Sequence, residues 1–215
     1  MKRIIKGSEP TCLLKYRQIP GATYEGYHPK EPLKKALLTE QGYICCYCMQ
    51  RIFEENMEIE HNKPWSDNPE LQLDYKNLIA SCSGNRGNRK DDMHCNARKG
   101  HYEAKTRNYQ MTLNPADSKN CENYIKYSST GKILSDDDII NYELNNILNL
   151  NFKTLIENRI AALDAVIYAL NKKFPNKTWS KEAIQKKLHE YSSKDTDGKY
   201  SEYCQYIIGY LSKRL

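Results

Sequence analysis

The segment CCYC places the thiols of Cys45 and Cys48 three positions apart. This C-x-x-C spacing is typical of a zinc knuckle, a tight turn that directs both thiolates at one tetrahedral ion. Such a site needs two more ligands, and Cys82 and Cys95 are the candidates in SCSGNRGNRKDDMHCNARKG. The 12 residues between them are rich in Gly, Asn and Arg, so they can bulge outward while their ends stay close. The pattern therefore predicts a closed, structural zinc site of four cysteines.

Two other interpretations of these cysteines stay open. His94 precedes Cys95 and could replace one thiolate, and Cys82 could instead be a small buried residue in a protein without zinc. The side chain of Cys46, next to a ligand, should point away from the ion. The other cysteines are isolated in the sequence and are expected to be structural: Cys12, Cys121 and Cys204.

Composition limits the class of protein. The chain of 215 residues has no run of 18 apolar residues, and its N-terminus lacks the apolar stretch and cleavage site of a signal peptide. Eight cysteines without an export signal favour a reducing bacterial cytoplasm, where close pairs bind metal more often than they form disulfides. The net charge is +6, and the basic residues are in excess at both ends of the chain. That distribution would suit a polyanion held against a carboxylate site.

The pattern of apolar residues divides the chain into three parts. Residues 1–43 are expected to be an extended arm and a helix over 30–43, in which Leu33, Leu37 and Leu38 share one face. Residues 44–105 show short apolar stretches typical of small strands and knuckles. Residues 106–215 become helical from about 137, with an apolar stripe from Leu155 to Phe174 that Pro175 ends.

The segment EIEH sets a carboxylate, Glu60, directly before an imidazole, His61. Downstream, Asn77 lies in LDYKNL, and Asn96 follows Cys95 in HCNARKG, where a helix can begin near Asp91 or Asp92. Framed by two cysteine pairs, this order resembles the HNH endonucleases associated with retrons and with the Septu defence system, the PtuB-like proteins. The segments that carry the resemblance are CCYC and the helix before it, IEHNKPWS, LDYKNL, SCSGN, HCNARKG, and LNLN followed by a helix containing NR.

The resemblance implies a fold and a role for several residues. The fold is α+β and mainly helical, with a ββα-metal (HNH) module over residues 44–105. His61 matches the general base, Glu60 the acidic metal ligand before it, and Asn77 the middle residue that orients the base. Asn96 matches a third position that is often His, so His94 is an alternative ligand for the catalytic metal. Lys99 would contact phosphate. The partners implied are nucleic acid, with DNA favoured over RNA, and an ATPase of the PtuA type in anti-phage defence.

The residue types agree with this chemistry independently. A neutral histidine, with an ordinary pKa near 6.5, can accept a proton at pH 7. The oxygen donors of Glu60 and Asn96 favour Mg²⁺ or Mn²⁺ over zinc at this second site. In the loop between the two later cysteines, Arg86, Arg89 and Lys90 are either solvated or in contact with phosphate.

Two other functions compete with the nuclease. A non-catalytic zinc module that binds nucleic acid or protein would account for the cysteines and the charge, but it leaves Glu60, His61, Asn77 and Asn96 without a shared purpose. A redox role for C-x-x-C is disfavoured because no βαβ pattern surrounds it.

Overall fold

The computed structural model describes residues 1–106, 109–117, 119–176 and 178–215. Two short antiparallel hairpins lie among helices that dominate the C-terminal half. In chain order the elements are α1 (Thr11–Tyr16), α2 (Glu31–Gln41), β1 (Met57–His61), β2 (Leu78–Cys82), α3 (Cys95–Glu103), β3 (Lys126–Tyr127), β4 (Ile133–Leu134), α4 (Asp138–Tyr142), α5 (Lys153–Lys173), α6 (Lys181–Ser192) and α7 (Cys204–Leu211).

The hairpin β1–β2 and the helix α3 form the centre of the molecule. Glu60 pairs with Ile79 and His61 pairs with Leu78 across the hairpin. Strand β2 is buried along its whole length because α2 and α3 both pack on it. This ββα arrangement within a largely helical chain confirms the α+β fold class with a ββα-metal module.

Helix α2 holds the outer side of β2. Leu33, Leu37 and Leu38 are buried, as the apolar face of this helix predicts. The side chain of Gln41 forms two hydrogen bonds with the backbone of β2. Its Nε2 donates to Ala80 O at 2.8 Å, and its Oε1 accepts from Ala80 N at 2.7 Å. Residue 42 ends the helix in the left-handed region at φ 64°, where a Cβ would lie 2.5 Å from the Tyr200 ring. Glycine is therefore required there by both conformation and space.

The long helix α5 follows the predicted periodicity. Leu155, Leu163 and Leu170 are buried, and the helix ends just before Pro175. Arg159, in the NR dipeptide, is also buried, and its guanidinium donates to Gly131 O at 2.6 Å and to Leu150 O at 2.7 Å. It thus satisfies carbonyls at the turn between β3 and β4 and in the LNLN segment.

The apolar core has two main parts. The first extends from the N-terminal residues through β2 to Leu155, and the second lies among α5, α6 and α7. The division at residues 43 and 105 remains a prediction. The expected arm contains the helix α1, which is six residues long with only Leu13 buried, too short to give a detectable period. Within the described ranges, no helix is both long enough and apolar enough to span a bilayer.

Candidate active site and metal centre

Four cysteine side chains meet beneath the hairpin. The sulfurs of Cys45, Cys48, Cys82 and Cys95 all lie within 4.8 Å of one another, and all four residues are buried. The Cys48 and Cys82 sulfurs are 3.9 Å apart, too far for a disulfide and close to the spacing of two thiolates on one tetrahedral ion. The four residues that the sequence groups together are therefore grouped in space and could hold a metal ion.

Local backbone features bring the two cysteine pairs together. In the knuckle, Cys45 N donates to Gln50 O at 2.9 Å and Met49 N donates to Cys45 O at 3.0 Å. The long loop before α3 closes where His94 N donates to Gly84 O at 3.0 Å. At Gly84, with φ 59°, a Cβ would lie 1.9 Å from His94 O. Only glycine permits this approach, which sets Cys95 next to Cys82.

The chemistry of this donor set fits a bound cation. Burial raises the pKa of the Cys48 and Cys95 thiols, whereas at Cys45 hydrogen bonds from the neighbouring thiols outweigh burial and lower the pKa. The cluster by itself thus favours one thiolate, and a bound cation would stabilise the others. The backbone N–H of Cys82 donates to Cys45 Sγ at 3.3 Å, a contact that supports a charged sulfur.

The residues around the cluster show where His94 and Cys46 lie relative to the four sulfurs. His94 Nδ1 lies 3.2 Å from Cys95 Sγ, and its ring stacks on Phe152. His94 thus lies beside the cysteine cluster and is absent from the walls of the cleft that holds Glu60, in contrast to the alternative in which it completes the catalytic metal site. The adjacent Cys46 is outside the four-sulfur group, as expected.

A separate cleft lies between β1, α3 and the loop after β1. Its volume is about 440 Å³, and it brings together three of the four residues expected at the catalytic centre. It is lined by Tyr24, Ile59, Glu60, His61, Pro64, Trp65, Ser66, Asn96, Gly100, Glu103 and Ala104.

The imidazole of His61 is fixed at one wall of this cleft. Its Nε2 is 2.9 Å from Gln72 O, and the Tyr24 ring meets it edge-on with a centroid distance of 4.5 Å. The residue is 7% exposed, and burial lowers the pKa of the ring below its ordinary value. The Gln72 carbonyl and Glu60 oppose this shift without reversing it. His61 is therefore held neutral near pH 7.

Asn77 contacts the loop that follows β1 and does not line the cleft. Its Oδ1 accepts from Lys63 N at 2.8 Å, and its Nδ2 donates to Lys63 O at 3.0 Å and Leu71 O at 3.2 Å. Leu71 directly precedes Gln72, whose carbonyl contacts His61. Asn77 therefore ties together both ends of the loop that orients the imidazole.

Glu60 lies in a buried cluster of charges. Its Oε1 accepts from Lys99 Nζ at 2.6 Å and from the Tyr47 hydroxyl at 3.0 Å. Lys99 also pairs with Glu103 at 2.7 Å and donates to His61 O at 3.1 Å. Although burial lowers the pKa of Lys99, the two carboxylates outweigh it and hold that pKa above its usual value.

The position of Lys99 differs from the expected phosphate contact. Its side chain is 1% exposed, and its three hydrogen bonds all go to protein oxygens. An ammonium group has three donors, so none remains for a phosphate. The structure instead makes Lys99 a buried support of Glu60.

Asn96 is joined to β1 through a residue that sequence reasoning missed. Its Nδ2 donates to Glu58 Oε2 at 2.6 Å, and this bond identifies the other amide atom as the oxygen. Glu58 also forms a two-bond ion pair with Arg86, which occupies that guanidinium instead of leaving it for phosphate. Of the other loop cations, Arg89 pairs with Asp92 and its side chain is 91% exposed. The expected phosphate contacts of these residues remain predictions.

Patterns in the sequence could have indicated two of the missed residues. Glu58 precedes Glu60 by two positions, so a strand places both on one face. Glu103 lies four positions after Lys99 and seven after Asn96, on one face of a helix. The contributions of Tyr47 and of the Gln72 carbonyl had no such signal.

Comparison with known proteins gives a family match for the segment that carries the first part of this site. A family model described as HNH endonuclease matches residues 45–84, a span that holds three of the four clustered cysteines and Glu60, His61 and Asn77. It ends before Cys95 and Asn96, which join the site through the fold of α3.

Two curated proteins are similar to this chain. One, from Escherichia coli, is named "Retron Ec83 putative HNH endonuclease" and is 27% identical over 166 residues, which cover 66% of this chain and 64% of that protein. The Septu protein PtuB of Bacillus thuringiensis is 35% identical over 78 residues, 35% of this chain and 26% of PtuB. The chain thus spans less than two thirds of the length of either relative. These findings confirm the resemblance: residues 45–84 match the model of the HNH endonuclease family, and the chain is similar to a retron HNH protein and to a Septu protein.

Proposed function

We propose that this protein is a metal-dependent nuclease that hydrolyses phosphodiester bonds of nucleic acid. The observation that supports this most directly is that His61, Glu60 and Asn96 line one cleft, with His61 Nε2 already occupied by the Gln72 carbonyl. Each of these three side chains then has one further polar atom, outside the hydrogen bonds described above, that is suited to a role in the hydrolysis.

His61 is suited to act as the general base. A carbonyl can only accept a hydrogen bond, so Nε2 of the neutral ring must carry the proton and donate it to Gln72 O. The unprotonated nitrogen is then Nδ1, which can take a proton from an attacking water. Because burial lowers the pKa of His61, this nitrogen stays available at neutral pH.

Glu60 and Asn96 are suited to hold a divalent ion in the cleft. Both hydrogen bonds to the Glu60 carboxylate go to Oε1, which leaves Oε2, and the bond from Asn96 Nδ2 to Glu58 leaves Oδ1. Such oxygen donors suit Mg²⁺ or Mn²⁺. When bound, the ion would supply positive charge to the phosphate and to the leaving oxygen. Lys99 and Tyr47 hold the carboxylate in place.

The four-cysteine cluster would hold a second, structural ion. Four thiolates in a tetrahedral group favour zinc, and they leave no open position for a substrate. The cluster joins the knuckle before β1, the end of β2 and the start of α3. Zinc would therefore fix the two strands and the helix that carry the catalytic side chains.

The biological role proposed is that of an effector in anti-phage defence. The names of the relatives, a retron HNH endonuclease and a Septu protein, support this role. An ATPase of the PtuA type is the partner to test, and DNA is the first substrate to test, followed by RNA.

A cleavage assay tests the proposal. The full chain, alone and with an ATPase of the PtuA type, is incubated with DNA or RNA in Mg²⁺ or Mn²⁺. His61→Ala should lower the rate by roughly 10²–10⁴-fold, the usual contribution of a general base. His189→Ala changes an exposed histidine on α6 and should leave the rate unchanged.

Three outcomes would contradict the proposal. They are cleavage that persists at full rate in His61→Ala, cleavage that needs no divalent ion, and the absence of cleavage under every condition. The last, with zinc bound and nucleic acid retained, would favour the non-catalytic zinc module.

A further inference from the structure

A second, smaller pocket lies on the other side of helix α3. Its volume is about 190 Å³, and its walls come from α3, from the segments directly before and after it and from the helical segment that begins with α4. The residues that define this basic pocket are Lys90, Arg98, His101, Tyr102, Lys105, Tyr142 and Asn146.

Within the described ranges, the basic pocket is lined by three cationic residues and by no carboxylate. Among the described residues, the Lys90 and Lys105 ammonium groups form no ion pair. Arg98 is held in place by Lys90 O at 2.7 Å and Asn146 O at 3.2 Å, and its one carboxylate contact is Asp91 at 3.3 Å. The Asp91 side chain is 91% exposed, so solvent screens its charge. One fixed cation, Arg98, and two exposed lysines thus line a space whose described lining residues include no carboxylate.

His101 adds an unsatisfied polar atom to this pocket. Its Nε2 is buried and has no hydrogen-bond partner among the described residues. An orphaned buried ring nitrogen is costly unless a ligand or water bonds to it. The cost of desolvating the charged ring, together with Lys105, Lys90 and Arg98, lowers the pKa of His101, consistent with a positive field there.

The basic pocket and the catalytic cleft lie on opposite faces of one helix. Asn96, Gly100 and Glu103 line the cleft. Arg98, His101 and Tyr102, on the opposite face of α3, line the basic pocket. Helix geometry separates the two faces by about 10 Å, a distance that a few nucleotides of one strand can span. The two sites meet at the end of α3, where Ala104 lines the cleft and Lys105 lines the pocket.

We propose that the basic pocket binds a backbone phosphate of the nucleic acid, a few nucleotides from the bond that is cut, with Arg98, His101 and Lys105 as donors. A phosphate supplies an anion for the two unpaired lysines and for Arg98, whose one carboxylate contact is the exposed Asp91. It also supplies an acceptor for the orphaned imidazole when Nε2 carries the proton. A strand that leaves the cleft over the end of α3 comes directly to this pocket. The proposal rests on the proposed function, since it takes nucleic acid as the substrate.

Salt-dependent binding tests this pocket separately from catalysis. In a His61→Ala background, the full chain is titrated with fluorescein-labelled single-stranded and duplex DNA 20-mers and with RNA. Anisotropy is followed from 50 to 200 mM NaCl. Lys105→Gln and His101→Ala should weaken binding, by roughly tenfold at 50 mM salt for the lysine, and Lys105→Gln should reduce the salt slope by about one. Lys172→Gln, an equal change of charge at an exposed position on α5, should change neither by more than about twofold.

The outcomes separate the two proposals. If wild type cleaves but both pocket variants bind like Lys172→Gln, the pocket is overturned and the nuclease stands. If wild type does not cleave but the pocket variants lose binding as expected, the pocket stands and the proposed activity fails. If no oligonucleotide binds, both are wrong. Calorimetry with inorganic phosphate and AMP adds a further arm. Loss of their binding in Lys105→Gln, with unchanged oligonucleotide binding, would show that the pocket takes a free phosphate and would overturn the proposal.

Discussion

The ammonium of Lys99 lies 2.6 Å from Glu60 Oε1 and bridges it to Glu103, whose carboxylate is 2.7 Å away. One cation therefore serves two carboxylates in the buried space between β1 and α3. This arrangement orients Glu60 without using both of its oxygens. It also joins the strand that carries His61 to the helix that carries Asn96.

Removing this cation should destabilise the fold. Lys99→Met leaves Glu60 and Glu103 buried without a positive partner, and breaking a buried ion pair costs roughly 3–5 kcal/mol. The free energy of unfolding from urea titration gives the change. Lys105→Met, at an exposed position just after the same helix, should change it by no more than about 0.5 kcal/mol. Equal stability of the two variants would show that Lys99 is not needed to neutralise the cluster, and Lys99→Met/Glu103→Gln should recover part of the loss.

Asn77 should affect catalysis without touching the cleft. Asn77→Ala removes three hydrogen bonds to Lys63 and Leu71 and leaves their backbone groups unsatisfied. Each such group costs about 1–3 kcal/mol. Because the Gln72 carbonyl would lose its fixed position, the cleavage rate should fall even where the variant remains folded by circular dichroism. Asn68→Ala removes a single bond in the same loop, to Pro64 O, and should have a much smaller effect. A folded Asn77→Ala protein with the wild-type rate would contradict the bracing role.

The acid limb of the rate profile should report His61. Burial lowers its pKa, so the ring remains neutral, and competent as a base, below the ordinary value near 6.5. Single-turnover cleavage from pH 4.5 to 8 should therefore keep more than half of its plateau rate at pH 6.5 and approach a tenfold fall per unit only at lower pH. A fall that begins above pH 7 would mean that His61 is charged at neutral pH or is not the base.

Sequence patterns were sufficient to predict the four-cysteine cluster and three of the residues that line the candidate cleft. A C-x-x-C turn places its two sulfurs locally. EIEH places Glu60 next to His61 in the chain, but neighbouring side chains of a strand point to opposite faces, so the strand pattern alone did not fix that both line one cleft. The role of Lys99 was not predictable, because it depends on the packing of α3 across β1. That packing brings the Lys99 ammonium within hydrogen-bond distance of Glu60. The Gln72 carbonyl gives no signal either, since every residue has one. The long repeat of α5 indicated a helix clearly, whereas the six residues of α1 are too few for a period.

The cysteine cluster should bind one zinc ion per chain. Cys95→Ser removes the ligand at the start of α3, so zinc content by mass spectrometry should fall towards zero and the protein should unfold at a lower temperature. Cys46→Ser changes the neighbour of a ligand outside the four-sulfur group and should keep its zinc. Retention of a full zinc equivalent in Cys95→Ser would contradict the four-cysteine site, and iron in place of zinc would correct the identity of the ion.

Glu103 should make stability depend on pH. Burial raises the pKa of its carboxyl to about 7, with a smaller contribution from the negative charges of Glu60 and Asp67. The ion pair with Lys99 opposes this shift without reversing it. A folded pKa above the unfolded value near 4.5 means that the fold favours the protonated form. This contribution is therefore fully present below about pH 4.5 and is lost as the pH rises to about 7.

Replacing Glu103 tests the direction of this effect. Glu103→Gln removes this titration. The quantity to compare is the free energy of unfolding of the variant minus that of wild type, and it should increase by up to about 3 kcal/mol between pH 5 and 7.5. Urea titrations at both pH values, without added Mg²⁺, measure the difference. Glu190→Gln, in an exposed pair with Lys187, should give a difference that stays within about 0.5 kcal/mol across this range. A difference that shrinks as the pH rises would show that the ion pair with Lys99 outweighs burial and holds Glu103 charged.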